Sequence, residues 1–104
     1  MAYEVTRHPL VRADLFNITT LIGEYAGYAT AQSKIEQIEK TLNSLTDFPH
    51  IGTTRDDIYP GLRAIPASEK AVVCFTIDDA TKVVRVICIS YAGADWMSRV
   101  KERR

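Results

Sequence analysis

The hydrophobic residues of this chain change their spacing once, and the change restricts the folds that the chain can adopt. Between residues 11 and 45 they recur every three or four positions in two runs. From residue 62 to residue 91 they form short runs rich in valine and isoleucine instead. The first spacing is typical of helices with one buried face, and the second composition is typical of β-strands. The sequence therefore predicts two helices followed by a set of strands.

Prolines, glycines and polar stretches set the boundaries of these elements. The β-favouring segment Tyr3–Arg7 stops before a proline, and the first helix is predicted at about Leu10–Tyr25. Gly27 separates it from a second helix, whose apolar run spans Ala31–Leu45. The polar stretch Asp78–Lys82 joins the last two strands, which predicts that they pair antiparallel. The three later strands are predicted at Leu62–Pro66, Ala71–Ile77 and Val83–Tyr91.

The order strand, helix, helix, strand, strand, strand predicts an α+β fold, with one domain over residues 1–104. A twisted, mainly antiparallel sheet would pack one face against the helical hairpin. The other face has only the polar tail Asp95–Arg104 to cover it, which we interpret as a short helix or a partly disordered segment. Apolar surface is therefore expected to stay open on the second face, where an interaction partner could bind.

Composition and cysteine usage argue against a disordered protein, a metal-binding protein, a secreted protein and a membrane protein. Apolar residues make up 46% and charged residues 25% of the chain, which is typical of a folded globular domain. Cys74 and Cys88 lie in apolar surroundings without metal-site spacing, so we predict buried reduced thiols, no metal and no cofactor. The first residues do not resemble a signal peptide, and no apolar run reaches the roughly 18 residues of a membrane span. These features predict a cytoplasmic protein without a membrane partner.

The charges balance overall but not along the chain. Thirteen basic residues match thirteen acidic ones, yet residues 61–104 contain eight Lys and Arg against five Asp and Glu. This asymmetry is compatible with an anionic partner near the C-terminal half, and equally with ordinary surface scatter.

Three blocks of sequence, in order, carry a resemblance to a known family. The segment Leu45–Gly52 has the form L-x-x-F-P-x-x-G, and Pro60–Arg63 has the form x-G-L-R. The segment Val86–Asp95 is similar to a closing strand followed by H-G-x-R-D, and Ala13–Leu15 in the first helix also fits. Together the blocks resemble the RelE/ParE superfamily, the toxins of bacterial type II toxin–antitoxin modules.

The closing block departs from the family pattern at two positions. Tyr91 stands where the family histidine is frequent and Ala94 where the arginine is frequent, while Asp95 agrees. Loss of both groups weakens the case for an RNA-cleaving member. The chain therefore looks closer to ParE-like toxins, for which the family implies binding to DNA gyrase and trapping of gyrase on cleaved DNA.

The resemblance implies three functional hypotheses, each with a cognate antitoxin as partner in a possible hetero-oligomer. The leading hypothesis is a ParE-like toxin of the plasmid-stabilisation type, which inhibits gyrase and arrests growth without enzyme activity of its own. The first alternative is a RelE-like endoribonuclease that cuts mRNA on the ribosome, in which Arg63 and Arg85 hold the phosphate and Tyr91 moves a proton. The second alternative is an inactive member that acts as a binding module.

Basic and aromatic side chains are the predicted binding residues for the target or the antitoxin. They are Arg63, Arg85, Trp96, Met97, Arg99, Lys101 and Arg103, with Arg104 in the same tail. Each also has a structural interpretation: the two strand arginines can be surface charges, and Trp96 can pack on the sheet. Lys70 is interpreted as a solvated charge, and His8 and His50 as markers of helix boundaries.

The antitoxin is expected to fold across the toxin as it binds. One helix would cover apolar surface near the helical hairpin, and an extended stretch would run along the sheet. Its acidic groups would meet Arg63, Arg85 or the basic tail.

Overall fold

The computed structural model describes residues 2–93 and 95–103. Ala94, at the position of the family arginine, and Arg104, in the basic tail, lie outside the described residues. The elements are β1 (Glu4–Arg7), α1 (Val11–Ala26), α2 (Tyr28–Ser44), β2 (Thr53–Thr54), β3 (Arg63–Pro66), β4 (Ala71–Asp78), β5 (Val83–Tyr91) and α3 (Trp96–Arg103).

The five strands form one sheet in the order β1-β5-β4-β3-β2. Only β1 runs parallel to its neighbour, and the other pairs are antiparallel, so the predicted mainly antiparallel α+β architecture is confirmed. One element goes beyond the prediction, because the two-residue strand β2 lies in what the sequence presents as a polar loop. Of the two alternatives for the tail, the structure has the short helix, α3.

The turn between α1 and α2 depends on two glycines. Gly27 has φ 91°, a conformation that residues with a side chain rarely adopt, and it lets α2 begin as soon as α1 ends. At Gly23 the ring of Tyr28 occupies the space of a Cβ atom, which would lie 2.4 Å from the ring carbon Cε1. A side chain at Gly23 would displace the Tyr28 ring, and a side chain at Gly27 would strain the backbone.

The hairpin of α1 and α2 covers one face of the sheet, which we call the hairpin face. Its core is made of aliphatic side chains around one aromatic ring. The fully buried members include Val11, Ile22, Ile38, Leu42, Val73, Phe75, Val86 and Ile89. Burying a large aliphatic side chain contributes about 1.5–3 kcal/mol, so this core supplies most of the drive to fold.

The opposite face of the sheet is covered as well, by α3 and the loop before β3. Val100 of α3 packs on Leu62, Ile87 and the two cysteines, with Trp96 at the margin. The prediction of open apolar surface on this face was wrong, because the eight-residue helix and the loop are enough to bury its few apolar residues. The exposed large apolar side chains lie mainly on the hairpin instead, and they include Phe16, Leu21, Tyr25 and Tyr28.

Cys74 and Cys88 are directly opposed across β4 and β5, and both are free, buried thiols. A hydrogen bond to Cys88, together with burial, raises the pKa of the Cys74 thiol. The pair therefore packs as small apolar groups under α3.

A β-bulge in β5 reverses, in the second half of the strand, which alternate residues point toward the hairpin face. Val86 pairs with Phe75 and Cys88 pairs with Cys74, so Ile87 is the extra residue between them. Residues that follow the bulge are shifted by one position in the inward and outward alternation. Tyr91 consequently lies on the hairpin face, together with Val86.

Within the described residues, none of the helices combines the length and the apolar character needed to cross a membrane.

Candidate functional site

The edge of β5 beyond β1 is completed by two side chains. β1 pairs with β5 as far as Val86. Beyond that point Asp14 of α1 accepts a hydrogen bond from the Ile89 amide at 3.0 Å, and Arg103 of α3 donates to the Ile87 carbonyl at 3.2 Å. A buried backbone group without a hydrogen-bond partner is destabilising. The two side chains supply the hydrogen bonds that a neighbouring strand would otherwise form.

The same two side chains form a buried ion pair. The guanidinium of Arg103 donates to both carboxylate oxygens of Asp14, at 2.6 and 2.8 Å. Asp14 is only 3% exposed, and hydrogen bonds to it raise the pKa of Arg103. We call this arrangement the Asp14–Arg103 junction. It joins α1, β5 and α3 through one carboxylate.

A small depression of about 100 Å³ opens to solvent beside the junction. We call it the Arg99 notch; it is lined by Asp14, Asn17, Ile18, Leu21, Tyr91 and Arg99. The hydroxyl of Tyr91 lies 2.7 Å from the hydroxyl of Tyr25. This hydrogen bond, with burial, raises the pKa of Tyr91 to about 12. At neutral pH Tyr91 therefore keeps its proton.

The three residues proposed for RNA cleavage are not brought together. Arg63 pairs with Phe75 of the hairpin face, whereas Arg85 pairs with Thr76 and lies on the opposite face. Arg63 and Tyr91 share the hairpin face, but their partners on β4 are four residues apart, which is about 13 Å along the strand. Arg63 donates to the Ile51 carbonyl at 3.4 Å, a contact at the edge of the sheet.

A second polar cluster lies at the opposite end of β5. The carboxylate of Asp79 accepts a hydrogen bond from the Tyr3 hydroxyl at 2.7 Å and lies 2.8 Å from Nε2 of His50. The ammonium of Lys82 lies 5.1 Å from the centre of the Tyr3 ring. We call this exposed group the Asp79 cluster. It ties the start of β1 to the loop after α2 and to the β4–β5 turn.

The comparison with family models identifies the chain. Residues 5–96 match the model described as the ParE toxin of the type II toxin–antitoxin system parDE. The chain belongs to the ParE toxin family. This confirms the resemblance carried by the three sequence blocks. A search of curated proteins found no significant match.

Solved structures share the fold of this ParE-family chain. The chromosomal ParDE toxin–antitoxin system of P. aeruginosa is similar at 17% identity, with a TM-score of 0.74 over 88% of this chain and 97% of that one. A double mutant of E. coli toxin RelE in the free state is 20% identical, with a TM-score of 0.69 over 99% and 98%. The RelBE2 toxin–antitoxin complex of Mycobacterium tuberculosis is 14% identical, with a TM-score of 0.62 over 88% and 100%.

The two faces of α3 divide the tail residues predicted for binding in this ParE-family chain. Trp96 is half-buried against the second core, with the guanidinium of Arg55 5.3 Å from its ring centre. Arg103 is held in the junction. Met97 and Lys101 are exposed, and Arg99 is half-exposed at the notch. Trp96 and Arg103 make contacts that hold α3 on the sheet. Met97, Arg99 and Lys101 are therefore the accessible members of the set.

Sequence reasoning missed two members of the site. Asp14 follows Val11 by three positions and precedes Ile18 by four, a spacing that places it on the apolar face of α1, where it is buried and meets Arg103, 89 positions later. Tyr25 reads as part of the apolar stripe, whereas it is exposed and its hydroxyl bonds to Tyr91. His8 does mark a helix boundary, since its Nδ1 accepts from the Leu10 amide at 3.1 Å. Lys70 is exposed, as a solvated charge would be.

Proposed function

We propose that this ParE-family chain inhibits DNA gyrase in the cytoplasm and is neutralised by a cognate antitoxin. The observation that carries this choice over the nuclease alternative is the separation of Arg63, Arg85 and Tyr91. They lie on two faces of the sheet, and the two that share a face are about 13 Å apart along the strand direction.

Cleavage of RNA through the ribose 2′-hydroxyl needs a base, an acid and a positive charge around one phosphate. Each group must come within hydrogen-bond reach of its atom, about 3 Å. A pKa of about 12 keeps Tyr91 protonated at neutral pH, which suits an acid but not a base. The geometry therefore favours a toxin that acts by binding.

We assign the contact with gyrase to the side of the molecule that carries α3. Arg85 is exposed on that face of the sheet, and Met97 and Lys101 are exposed on α3. The antitoxin is assigned to the hairpin, where Phe16 is 70% exposed and the aromatic side chains of Tyr25 and Tyr28 are also open. Exposed aromatic side chains of this kind commonly anchor protein interfaces.

Induction of the chain in bacterial cells tests this function. Growth arrest with accumulation of cleaved DNA–gyrase complexes is expected, and co-expression of the protein encoded next to the toxin should restore growth. Intact DNA supercoiling together with fragmented messenger RNA would show that the RelE-like alternative is correct. In that case the variants Tyr91→Phe and Arg63→Ala should reduce toxicity.

A matched pair of variants tests the assignment of the two surfaces. Lys101→Ala on α3 should weaken gyrase inhibition, while Lys40→Ala on the exposed side of α2 removes the same charge and should leave it unchanged. Equal toxicity of both variants and the parent chain, at equal protein levels, would remove α3 from the gyrase contact.

A further inference from the structure

The carboxylate of Asp14 is engaged mainly by Arg103 and the backbone, and Arg99 lies farther away. One oxygen accepts from Arg103 at 2.8 Å, and the other accepts from Arg103 at 2.6 Å and from the Ile89 amide at 3.0 Å. Arg99 approaches only to 3.7 Å, which is outside hydrogen-bond distance, and its side chain is 39% exposed. Among the described residues Arg99 donates no hydrogen bond, and its acidic neighbours Asp14 and Asp95 interact with it only as nearby charges, so its guanidinium N–H groups face the notch available for a ligand.

Tyr91 and Asn17 contribute neutral polar groups to the notch. The hydroxyl of Tyr91 is held in place by its hydrogen bond with Tyr25. Asn17 adds an amide to the lining, and Ile18 and Leu21 make its apolar wall. The notch thus combines one arginine, hydrogen-bond donors and an apolar surface.

We propose that the Arg99 notch binds a carboxylate side chain of an acidic peptide segment, with an apolar neighbour of that side chain resting on Leu21. The planar guanidinium matches the two oxygens of a carboxylate. A volume of about 100 Å³ accommodates a carboxyl group with its adjoining methylene. The peptide belongs to the antitoxin if the proposed function holds, and this inference rests on that function for its biological partner.

A nucleic-acid backbone fits the notch less well. It brings a row of negative charges, and proteins that bind it commonly present several Lys or Arg side chains. The lining of the notch holds one cation, Arg99, beside the buried carboxylate of Asp14. A single carboxylate matches that charge.

Nuclear magnetic resonance titration of the full chain tests the proposal. The probe is the capped dipeptide acetyl-Glu-Leu-amide, and acetyl-Gln-Leu-amide is the neutral control. Saturable shifts are expected for the Arg99 side chain and the Asn17 amide, with affinity for the glutamine peptide lower by about ten-fold, the loss expected for a charged hydrogen bond. Equal affinity for the two peptides would overturn the proposal.

Two variants and a second probe sharpen the result. Arg99→Gln should abolish the difference between the peptides, whereas Lys101→Gln removes the same charge from the exposed side of α3 and should preserve it. Inorganic phosphate or single-stranded RNA binding more tightly than the glutamate peptide at the same residues would replace the carboxylate by a phosphate ligand. No probe in this titration contains gyrase or antitoxin. A negative titration would therefore not count against gyrase inhibition, and a negative gyrase assay would not count against carboxylate binding at the notch.

Discussion

The Asp14–Arg103 junction and the Asp79 cluster use similar chemistry in different surroundings. In both, one carboxylate joins elements that are far apart in the sequence through contacts of 2.6 to 2.8 Å. Asp14 is 3% exposed, however, and the side chain of Asp79 is 64% exposed. The two sites therefore separate the effect of contact distance from the effect of burial.

Burial decides how much each carboxylate contributes to the stability of the fold. Water can replace every partner of Asp79, so exposed pairs of this kind contribute little to stability. Asp14 itself is almost excluded from water, and its partners include the Ile89 amide at the edge of β5. Loss of Asp14 would leave a buried guanidinium and a buried amide unpaired.

The largest effect is expected for Asp14→Ala. Removing one member of a buried ion pair typically costs about 3–5 kcal/mol of the free energy of unfolding. Urea denaturation measures it, with Asp79→Ala as the matched control. Similar losses of stability in the two variants would show that burial does not decide how much each carboxylate contributes.

Replacing both members of the Asp14–Arg103 junction should lower the free energy of unfolding less than removing Asp14 alone. The double variant Asp14→Leu, Arg103→Met removes both charges, and buried ion pairs are often replaceable by apolar residues of similar volume. The Ile89 amide loses its partner in both variants, at about 1–3 kcal/mol, so the two variants differ mainly in the unpaired guanidinium charge that Asp14→Ala retains. A double variant less stable than Asp14→Ala would show that the ion pair itself is strongly stabilising.

Asp95 should fall between the two extremes. It is exposed, but it accepts from the Ser98 amide at 3.2 Å and from the Ser98 hydroxyl at 2.7 Å, which makes it the N-terminal cap of α3. Asp95→Ala should therefore destabilise the chain more than Asp79→Ala and less than Asp14→Ala. Thermal denaturation of the three variants under one set of conditions gives the order.

The smallest effect is the pH dependence of the Asp79 cluster. The Tyr3 hydroxyl, and after it His50, lower the pKa of Asp79. A carboxyl with a lowered folded-state pKa contributes stability above its unfolded pKa, about 3.9, and loses it as the pH falls through the folded value. The stability difference between the parent chain and Asp79→Asn should thus shrink as the pH falls below about 3.9 and vanish below the lowered folded-state pKa of Asp79. A difference that grows on acidification would contradict this sign.

The sequence predicts the fold well and the site poorly, for physical reasons. Local composition marks β5 so clearly that Val83–Tyr91 is predicted with its observed bounds. The face of Tyr91 depends on the bulge at Ile87, which has no mark in the hydrophobic pattern. Burial of Asp14 depends on Arg103, 89 residues away, and only the folded chain brings them together. The short polar helix α3 gives too weak a pattern to predict its packing.

The proposed inhibition of gyrase is tested most directly with purified components. The chain, gyrase, ATP and supercoiled plasmid are incubated together, and the DNA is then released with detergent and protease. Linear plasmid should appear in proportion to the amount of chain, and added antitoxin should abolish it. Unchanged gyrase reactions, combined with cleavage of messenger RNA on translating ribosomes by the same preparation, would contradict the proposed function.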